Sequence, residues 1–290
     1  MEKKLVPTHK YKTSIVFIDD NLEFLNMLKN NLNIKNVDSI FVDNVLDFQN
    51  LLTQSNDISK NLPNVLVKLD NELTDLDQHE SFDFDLTNFD KIRNNSQKNQ
   101  EIGLVFIDKA LPDVDGLDLS KSLNSGIKKV LLTGECGLAE AVDAFNNNII
   151  DMFIDKIDNH IIDKISKSVE HFIDSYFINK DFYNNSKLSS PTFKKIFDTL
   201  IKEYSIIEYY LIEKDTFLFI NEFGKHKLFK CWDQIDFNDY YNKYFDEFDS
   251  NKDLDLIRLY NKIPVKSQLK DTINDGDFHY CVVDIDSTQY

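Results

Sequence analysis

Carboxylates stand directly after two apolar segments that have the character of buried parallel strands, and this placement constrains the fold more than any other feature. Ser14–Ile18 is followed by Asp19 and Asp20, and Leu104–Ile107 is followed by Asp108. In an open α/β sheet, ligands bind beyond the carboxyl ends of the strands. Three carboxylates at one sheet edge form a site for a hard cation, and oxygen ligands of this kind suit Mg²⁺.

Two further strand ends add a hydroxyl and an ammonium group to the same edge. The apolar segment Val130–Leu132 leads into Thr133 and Gly134, and the segment Met152–Asp155 leads into Lys156. The sequence therefore predicts a site in which acidic, hydroxyl and cationic side chains meet.

The order of these strand-end residues resembles the receiver domain of two-component response regulators over about residues 12–178. The loop after Asp108 has the family's Asp-x-x-x-Pro-x-x-x-Gly spacing, with Pro112 and Gly116 at the marked positions. Several polar landmarks in the right order, each at the end of a strand, are more specific than any one motif alone. The resemblance implies that Asp108 accepts a phosphoryl group from a sensor histidine kinase.

The resemblance also implies a role for each remaining polar residue. The groups that would hold Mg²⁺ are three carboxylates and one backbone carbonyl, namely those of Asp19, Asp20, Asp108 and Ala110. Lys156 would balance the charge of a phosphoryl oxygen, and the Thr133 hydroxyl would bond another oxygen in the phosphorylated state. Phe153 stands at the family's switch-aromatic position. Apart from possible autodephosphorylation, the resemblance implies no enzymatic activity for the receiver.

Each of these residues also has an ordinary structural interpretation. The Asp19–Asp20 pair can cap the following helix, Thr133 can be a turn residue, and Lys156 can lie on a solvated surface. The three interpretations are hard to hold together, because clustered acids without a cation or a cationic side chain repel one another. For Phe153, burial in the core and a switching role are compatible.

Alternating strands and helices predict a doubly wound, five-stranded parallel receiver domain over residues 1–180. Asp108 lies 88 positions after Asp20, about double the family spacing, so we expect an insertion at about 54–100. That insertion is either a tolerated surface segment or a docking or dimer surface. A final helix, Asn159 to about Asn179, has apolar residues at steps of three and four, so we expect Phe172 and Tyr176 to need a partner outside the receiver.

The second half of the chain predicts a smaller α+β output domain over residues 181–290. Ser190 and Pro191 form a helix start, followed by an amphipathic helix, Phe193–Ile201. The expected strands are Ile206–Ile212, Phe217–Asn221 and Leu228–Trp232 in an antiparallel meander, with a late strand at His279–Ile285. A helical tract is expected at Phe237–Tyr260.

Charge and composition restrict the function classes. With 33 Lys and Arg against 50 Asp and Glu, the formal net charge is −17, which argues against nucleic-acid binding without excluding it, because nucleic-acid binders usually carry a basic patch. No apolar run reaches the roughly 20 residues of a membrane span, and the first residues lack the apolar core of a signal peptide. A cytoplasmic protein without membrane association is expected.

Three function classes follow from these patterns. The leading one is a phosphorylation-switched regulator that signals by homodimerisation and protein contacts, through the helix Leu138–Asn146, the Phe153 strand and the helix from Asn159. The others are a transcription factor with an atypical output domain and a receiver-regulated enzyme acting on a nucleotide. The long insertion and the α+β second half resemble the quorum-sensing response regulators of Legionella, which implies control of virulence, motility and growth-phase behaviour.

Overall fold

The computed structural model of the protein describes residues 5–63, 66–68, 82–134, 138–180, 186–214, 216–233, 235–236, 273–275 and 278–285. The chain divides into two compact units. One unit comprises Tyr11–Phe182, and the other combines Met1–Lys10 with Tyr183–Tyr290. They are called here the receiver unit and the second unit.

The described elements alternate in type in the first part of the chain and are mostly strands in the second. Up to residue 100 they are β1 (His9–Lys10), β2 (Thr13–Ile18), α1 (Leu22–Asn31), β3 (Val37–Val42), α2 (Val45–Asn61), β4 (Leu66–Lys68), β5 (Phe82–Phe84) and α3 (Leu86–Arg93). The rest of the receiver unit contains β6 (Ile102–Asp108), α4 (Gly116–Ser122), β7 (Lys128–Thr133), α5 (Leu138–Asn146), β8 (Met152–Asp155) and α6 (Ile161–Lys180). The second unit continues with α7 (Pro191–Glu203), β9 (Ile206–Glu213), β10 (Thr216–Asn221), β11 (His226–Asp233), β12 (Ile273–Asp275) and β13 (Phe278–Ile285).

The receiver unit is built on a five-stranded parallel sheet in the order β3-β2-β6-β7-β8. The strand order reverses between β2 and β6, which is the place where a doubly wound sheet opens its ligand crevice. Every residue of β2 and β6 is buried, as expected for central parallel strands covered on both faces. The predicted α/β receiver fold is confirmed.

Local sequence explains where helix α1 begins. The Asn21 side chain accepts hydrogen bonds from the backbone N–H groups of Glu23 and Phe24, at 3.0 and 3.1 Å. An Asn at this position satisfies donors that the first turn leaves unpaired. The helix then buries Leu25 and Leu28. Asn21, rather than the preceding acids, supplies the cap, so the carboxylates of Asp19 and Asp20 are not required for it.

The last turns of α6 pack inside the receiver unit, which corrects the expectation that they need a partner elsewhere. The Tyr176 ring lies against Gly103 of β6, where an added Cβ would meet it at 3.2 Å. The Phe177 ring makes an edge contact with Tyr11, with centroids 5.0 Å apart. Tyr176 and Phe177 are buried, as is Phe172. A three-four repeat here reflects packing on the unit's own sheet rather than a coiled coil.

The segment expected as an insertion begins later than predicted and has regular structure. Helix α2 continues to Asn61, and its Ser55 hydroxyl accepts the backbone N–H of Ile102 at 2.8 Å. Helix α3 buries Phe89 and Ile92. The residues that flank the segment therefore belong to the core of the unit, while residues 64–65 and 69–81 lie outside the described ranges.

The second unit contains a six-stranded antiparallel sheet in the order β1-β9-β10-β11-β13-β12. Helix α7, capped by Ser190 with Pro191 at its first position, packs an aromatic stripe on one sheet face. Phe197 contacts Tyr209, Phe217 and other rings of that face at centroid distances of 4.9 to 5.8 Å. The predicted meander is confirmed, with an unpredicted edge strand, β1, from the start of the chain. The expected helical tract at 237–260 lies outside the described residues.

None of the helices in the described ranges combines the length and the apolar composition that a membrane span requires.

Candidate functional site

The sheet places the predicted acids at its carboxyl edge, at the reversal of strand order. Ile18 of β2 is the register partner of Ile107 of β6, so the next residues, Asp19 and Asp108, lie at the same level on adjacent strands. Carboxylate oxygens of Asp19, Asp20 and Asp108 lie within 4.8 Å of one another. Asp19 and Asp108 are buried and Asp20 is exposed.

Lys156 joins this cluster from the end of β8. Its Nζ lies 2.6 Å from Asp19 Oδ2 and 2.8 Å from Asp108 Oδ1. The ammonium also lies over the Phe24 ring, 5.0 Å from the centroid, a favourable position for a cation. The interpretation of Lys156 as a solvated surface residue is wrong, because it bridges two buried acids.

The electrostatics of Asp19 favour a bound cation. Burial is the main influence and raises its pKa, the charge of Asp108 raises it further, and the Lys156 and Asn21 contacts lower it without cancelling the effect. Asp19 Oδ2 makes the ion contact with Lys156 but no well-aligned hydrogen bond within the described residues. A buried carboxylate oxygen with spare acceptor capacity, beside two more carboxylates, fits a hard divalent cation.

The loop after Asp108 closes tightly on itself. The Gly116 N–H donates to the Lys109 carbonyl at 2.9 Å, and Ala110 pairs with Asp115 across the loop. A Cβ on Gly116 would lie 2.1 Å from the Asp108 carbonyl oxygen. Only glycine fits there, which explains the Gly of the Asp-x-x-x-Pro-x-x-x-Gly spacing. Ala110, whose carbonyl was predicted as a metal ligand, is exposed in this loop.

The two predicted switch residues lie on the neighbouring strands. Thr133 ends β7, is 1% exposed, and donates its hydroxyl hydrogen to the Gly134 carbonyl at 3.1 Å. Phe153 of β8 is half-buried and packs against a cluster that includes Leu131 and Ala141. Thr133 and Phe153 therefore lie on the two strands that follow β6 in the sheet, on the Lys156 side of the site.

Two charged residues beside the site were not found from the sequence. Lys109 Nζ lies 2.6 Å from Glu140 Oε2 and 3.3 Å from Asp115 Oδ2. A lysine directly after the central acid was visible in the sequence. Its partner Glu140 was not, because a separation of 31 positions along the chain gives no local signal of contact.

No family model and no curated protein matches the chain. Among solved structures, the response regulator LqsR of Legionella pneumophila is similar over 98% of this chain and 92% of its own, with 21% identity and a TM-score of 0.70. A response regulator receiver domain protein from Methanospirillum hungatei has 18% identity over 57% of this chain and 95% of its own, with a TM-score of 0.33. A signal receiver domain from Pseudomonas fluorescens has 14% identity over 60% and 96%, with a TM-score of 0.40. The resemblance to a Legionella response regulator is thus confirmed for the fold: this chain shares the fold of LqsR along nearly its whole length.

Proposed function

We propose that the protein is a phosphorylation-switched response regulator whose Asp108 accepts a phosphoryl group from a sensor histidine kinase. The observation that carries the proposal is the cluster of three carboxylates within 4.8 Å, bridged by Lys156 at 2.6 and 2.8 Å. An ammonium group held between two buried acids at the ligand-binding edge of a parallel sheet suits the transfer of an anionic group.

The chemistry follows from charge and position. Asp19, Asp20, Asp108 and the Ala110 carbonyl would hold Mg²⁺, and the ion would supply charge neutralisation. A carboxylate oxygen of Asp108 bonds to phosphorus, and the bond from phosphorus to the donor's imidazole nitrogen breaks with its electron pair remaining on nitrogen. Lys156, already 2.8 Å from Asp108, compensates the added negative charge. A carboxylate is a weak nucleophile, so positioning and charge neutralisation account for most of the rate.

The switch we propose uses Thr133 and Phe153. The Thr133 hydroxyl, which donates to the Gly134 carbonyl, turns to a phosphoryl oxygen, and Phe153 moves further into the cluster around Leu131. A side chain with two packed positions is the bistable element that a phosphorylation switch requires.

Homodimerisation through α5 and its neighbours is the proposed output. Val142 and Phe145 of α5 are 40% and 48% exposed, and Ile157 after β8 is 61% exposed. Exposed apolar side chains on neighbouring elements favour a protein contact. A tenfold change in dimer affinity needs only about 1.4 kcal/mol, an amount that one hydrogen bond to a charged group can supply.

We further propose that the receiver unit, Tyr11–Phe182, acts as the receiver domain and that the second unit, in which Met1–Lys10 joins Tyr183–Tyr290, acts as the output domain. The expected start of the receiver at residue 1 is thereby corrected, because β1 pairs with β9. We also propose that the whole protein works in the cytoplasm in quorum sensing and virulence control. The full-length similarity in fold to LqsR supports this assignment.

Light scattering with and without a phosphodonor, on wild type and Phe145→Asp, tests the proposed dimer. Phosphorylated wild type that stays monomeric would contradict the proposed output.

Nucleotide binding by the second unit is a second candidate function, favoured by one observation. Lys194, Lys195 and Lys202 of α7 line an open cleft of about 430 Å³ in a chain of net charge −17. Asp198 also lines the cleft and pairs with Lys194 at 2.9 Å, which leaves Lys195 and Lys202 as its excess positive charge. Titration with ATP, on wild type and Lys195→Glu, tests it. Binding of a short DNA duplex in preference to ATP would favour the transcription-factor reading instead.

The phosphoacceptor assignment has a direct test. Wild type incubated with Mg²⁺ and acetyl phosphate at neutral pH should gain one phosphoryl group by intact mass, and Asp108→Asn should gain none. The matched control is Asp118→Asn, which makes the same chemical change at an exposed acid of α4. This variant should behave as wild type. Equal labelling of Asp108→Asn and wild type would overturn the assignment.

A further inference from the structure

The side chain of Lys109 joins the loop after Asp108 to helix α5. Asp108 and Lys109 are consecutive, yet their side chains meet different partners: Asp108 faces Lys156, while Lys109 Nζ lies 2.6 Å from Glu140 Oε2. Glu140 is in the first turn of α5. The Lys109 side chain is only 18% exposed, so contacts with the protein restrict the position of its ammonium group.

The backbone of Lys109 is hydrogen-bonded on both sides. The Lys109 N–H donates to the Leu132 carbonyl at 2.9 Å, and its carbonyl accepts from Gly116 at 2.9 Å. Its ammonium also lies 3.3 Å from Asp115 Oδ2, while Asp115 Oδ1 caps α4 through the Leu117 N–H at 2.8 Å. With both backbone groups fixed, Lys109 is anchored to the sheet and can act as a fixed point for α5.

The two partners of the Lys109–Glu140 ion pair differ in how firmly they are held. The Lys109 ammonium lies closer to Glu140 Oε2, at 2.6 Å, than to Asp115 Oδ2, at 3.3 Å. Glu140 itself is 62% exposed, so the contact is one that a change in the position of α5 can break at little cost. An ion pair with one fixed and one exposed partner has the properties of a releasable restraint.

We propose that the Lys109–Glu140 ion pair is a latch that holds the first turn of α5 against the loop after Asp108 in the unphosphorylated protein. Lys109 is a positioning residue in this scheme, because it acts through α5 and not on the transferred group. The coupling to phosphorylation rests on the proposed function, since α5 follows Thr133 in the chain and carries the proposed dimer face. A restraint of this kind favours the position of α5 seen in the structure over a displaced position that phosphorylation would select.

Amide hydrogen exchange in unphosphorylated protein tests the latch without any phosphodonor. Glu140→Gln and Lys109→Met should each speed exchange in peptides covering 138–146 by about two- to fivefold, the range that a partly exposed ion pair can supply. Asp118→Asn, which breaks the exposed pair with Lys121 on α4, is the matched control and should leave these peptides unchanged.

Two further variants separate the latch from a local effect within the loop. Asp115→Asn keeps a helix cap but removes one partner of Lys109, and it should change exchange in 138–146 less than Glu140→Gln does. The exchanged pair, Lys109→Glu with Glu140→Lys, is made in the Asp115→Asn background, because Asp115 lies 3.3 Å from position 109 and would repel an acid there, and it should restore slow exchange. Equal behaviour of Glu140→Gln and Asp118→Asn, or failure of the exchanged pair to restore protection, would overturn the latch.

The coupling to phosphorylation is read separately. Phosphorylated wild type should show faster exchange in 138–146, and Glu140→Gln should lower the dimer dissociation constant of unphosphorylated protein by about two- to fivefold. If wild type gains no phosphoryl group, the proposed function is wrong. The exchange data on unphosphorylated protein still test the latch in that case. Normal phosphorylation with unchanged exchange in Glu140→Gln sinks the latch alone.

Discussion

Replacement of Lys180 by Met should destabilise the receiver unit, because it leaves a buried carboxylate without its counter-charge. Glu101, which directly precedes β6, is 1% exposed. Lys180 Nζ at the end of α6 lies 2.6 Å from Glu101 Oε1, and the Tyr11 hydroxyl donates to Oε2 at 2.7 Å. The Lys180 ammonium also lies over the Tyr176 ring at 5.2 Å.

The expected loss is about 3 kcal/mol at neutral pH. Removing one partner of a buried ion pair costs about 3–5 kcal/mol, and the lower end applies because Lys180 is 25% exposed and the Tyr11 hydrogen bond remains. Replacing both partners, as in Glu101→Leu with Lys180→Met, should recover most of the loss, since no charge is then left buried.

The pH dependence gives the sharper test. Burial by itself raises the pKa of Glu101, but the charge of Lys180 and hydrogen bonds from Lys180, Ser59 and Tyr11 outweigh it, so the pKa lies below its usual 4.5. Ionised Glu101 therefore stabilises the wild type above about pH 4.5, and this stabilisation is lost as the pH falls through the folded-state pKa. Without Lys180, burial is the larger influence on Glu101, so ionisation of Glu101 destabilises the folded protein instead of stabilising it. The difference between the two proteins should widen from pH 4 to pH 7, by at most about 1.4 kcal/mol per pH unit.

Urea denaturation at pH 4, 5.5 and 7 measures this difference. Far-UV circular dichroism follows the whole chain, and fluorescence of the single tryptophan, Trp232, follows the second unit. Lys121→Met is the control, because Lys121 pairs with Asp118 on an exposed helix face. A loss for Lys180→Met that is the same at pH 4 and pH 7, or below about 1 kcal/mol at pH 7, would refute the reasoning.

Other substitutions test the site and the second unit. Asp20→Asn should weaken Mg²⁺ binding, measured by calorimetry, by at least tenfold or about 1.4 kcal/mol with the urea midpoint unchanged, because Asp20 is exposed; unchanged affinity would contradict the metal assignment. Lys156→Ala should still fold but lose phosphorylation-dependent dimerisation, seen by light scattering. Gly116→Ala should destabilise the receiver unit by about 1–3 kcal/mol in urea, because its Cβ would meet the Asp108 carbonyl at 2.1 Å. Phe197→Ala should cost about 3–5 kcal/mol, read by Trp232 fluorescence, since Phe197 is buried among five rings.

The sequence by itself determined the strands of the receiver unit and the residues at their ends. Apolar runs such as Leu104–Ile107 mark central strands, and the acid that follows each run must lie at the carboxyl edge of a parallel sheet. Local rules also located α7, since Ser190 and Pro191 form a helix start that depends only on neighbouring residues. The site could be predicted because its members are defined by strand ends.

Only the tertiary structure decided which distant segments meet. The two-residue strand at His9–Lys10 joins β9 some 200 residues later, and so short a segment has no periodicity to read. The packing of Tyr176 on Gly103 turned a coiled-coil pattern into an internal contact, because a three-four repeat specifies an apolar face but not what covers it. The pairs Glu101–Lys180 and Lys109–Glu140 depend on side-chain positions across the folded sheet, which no local pattern encodes.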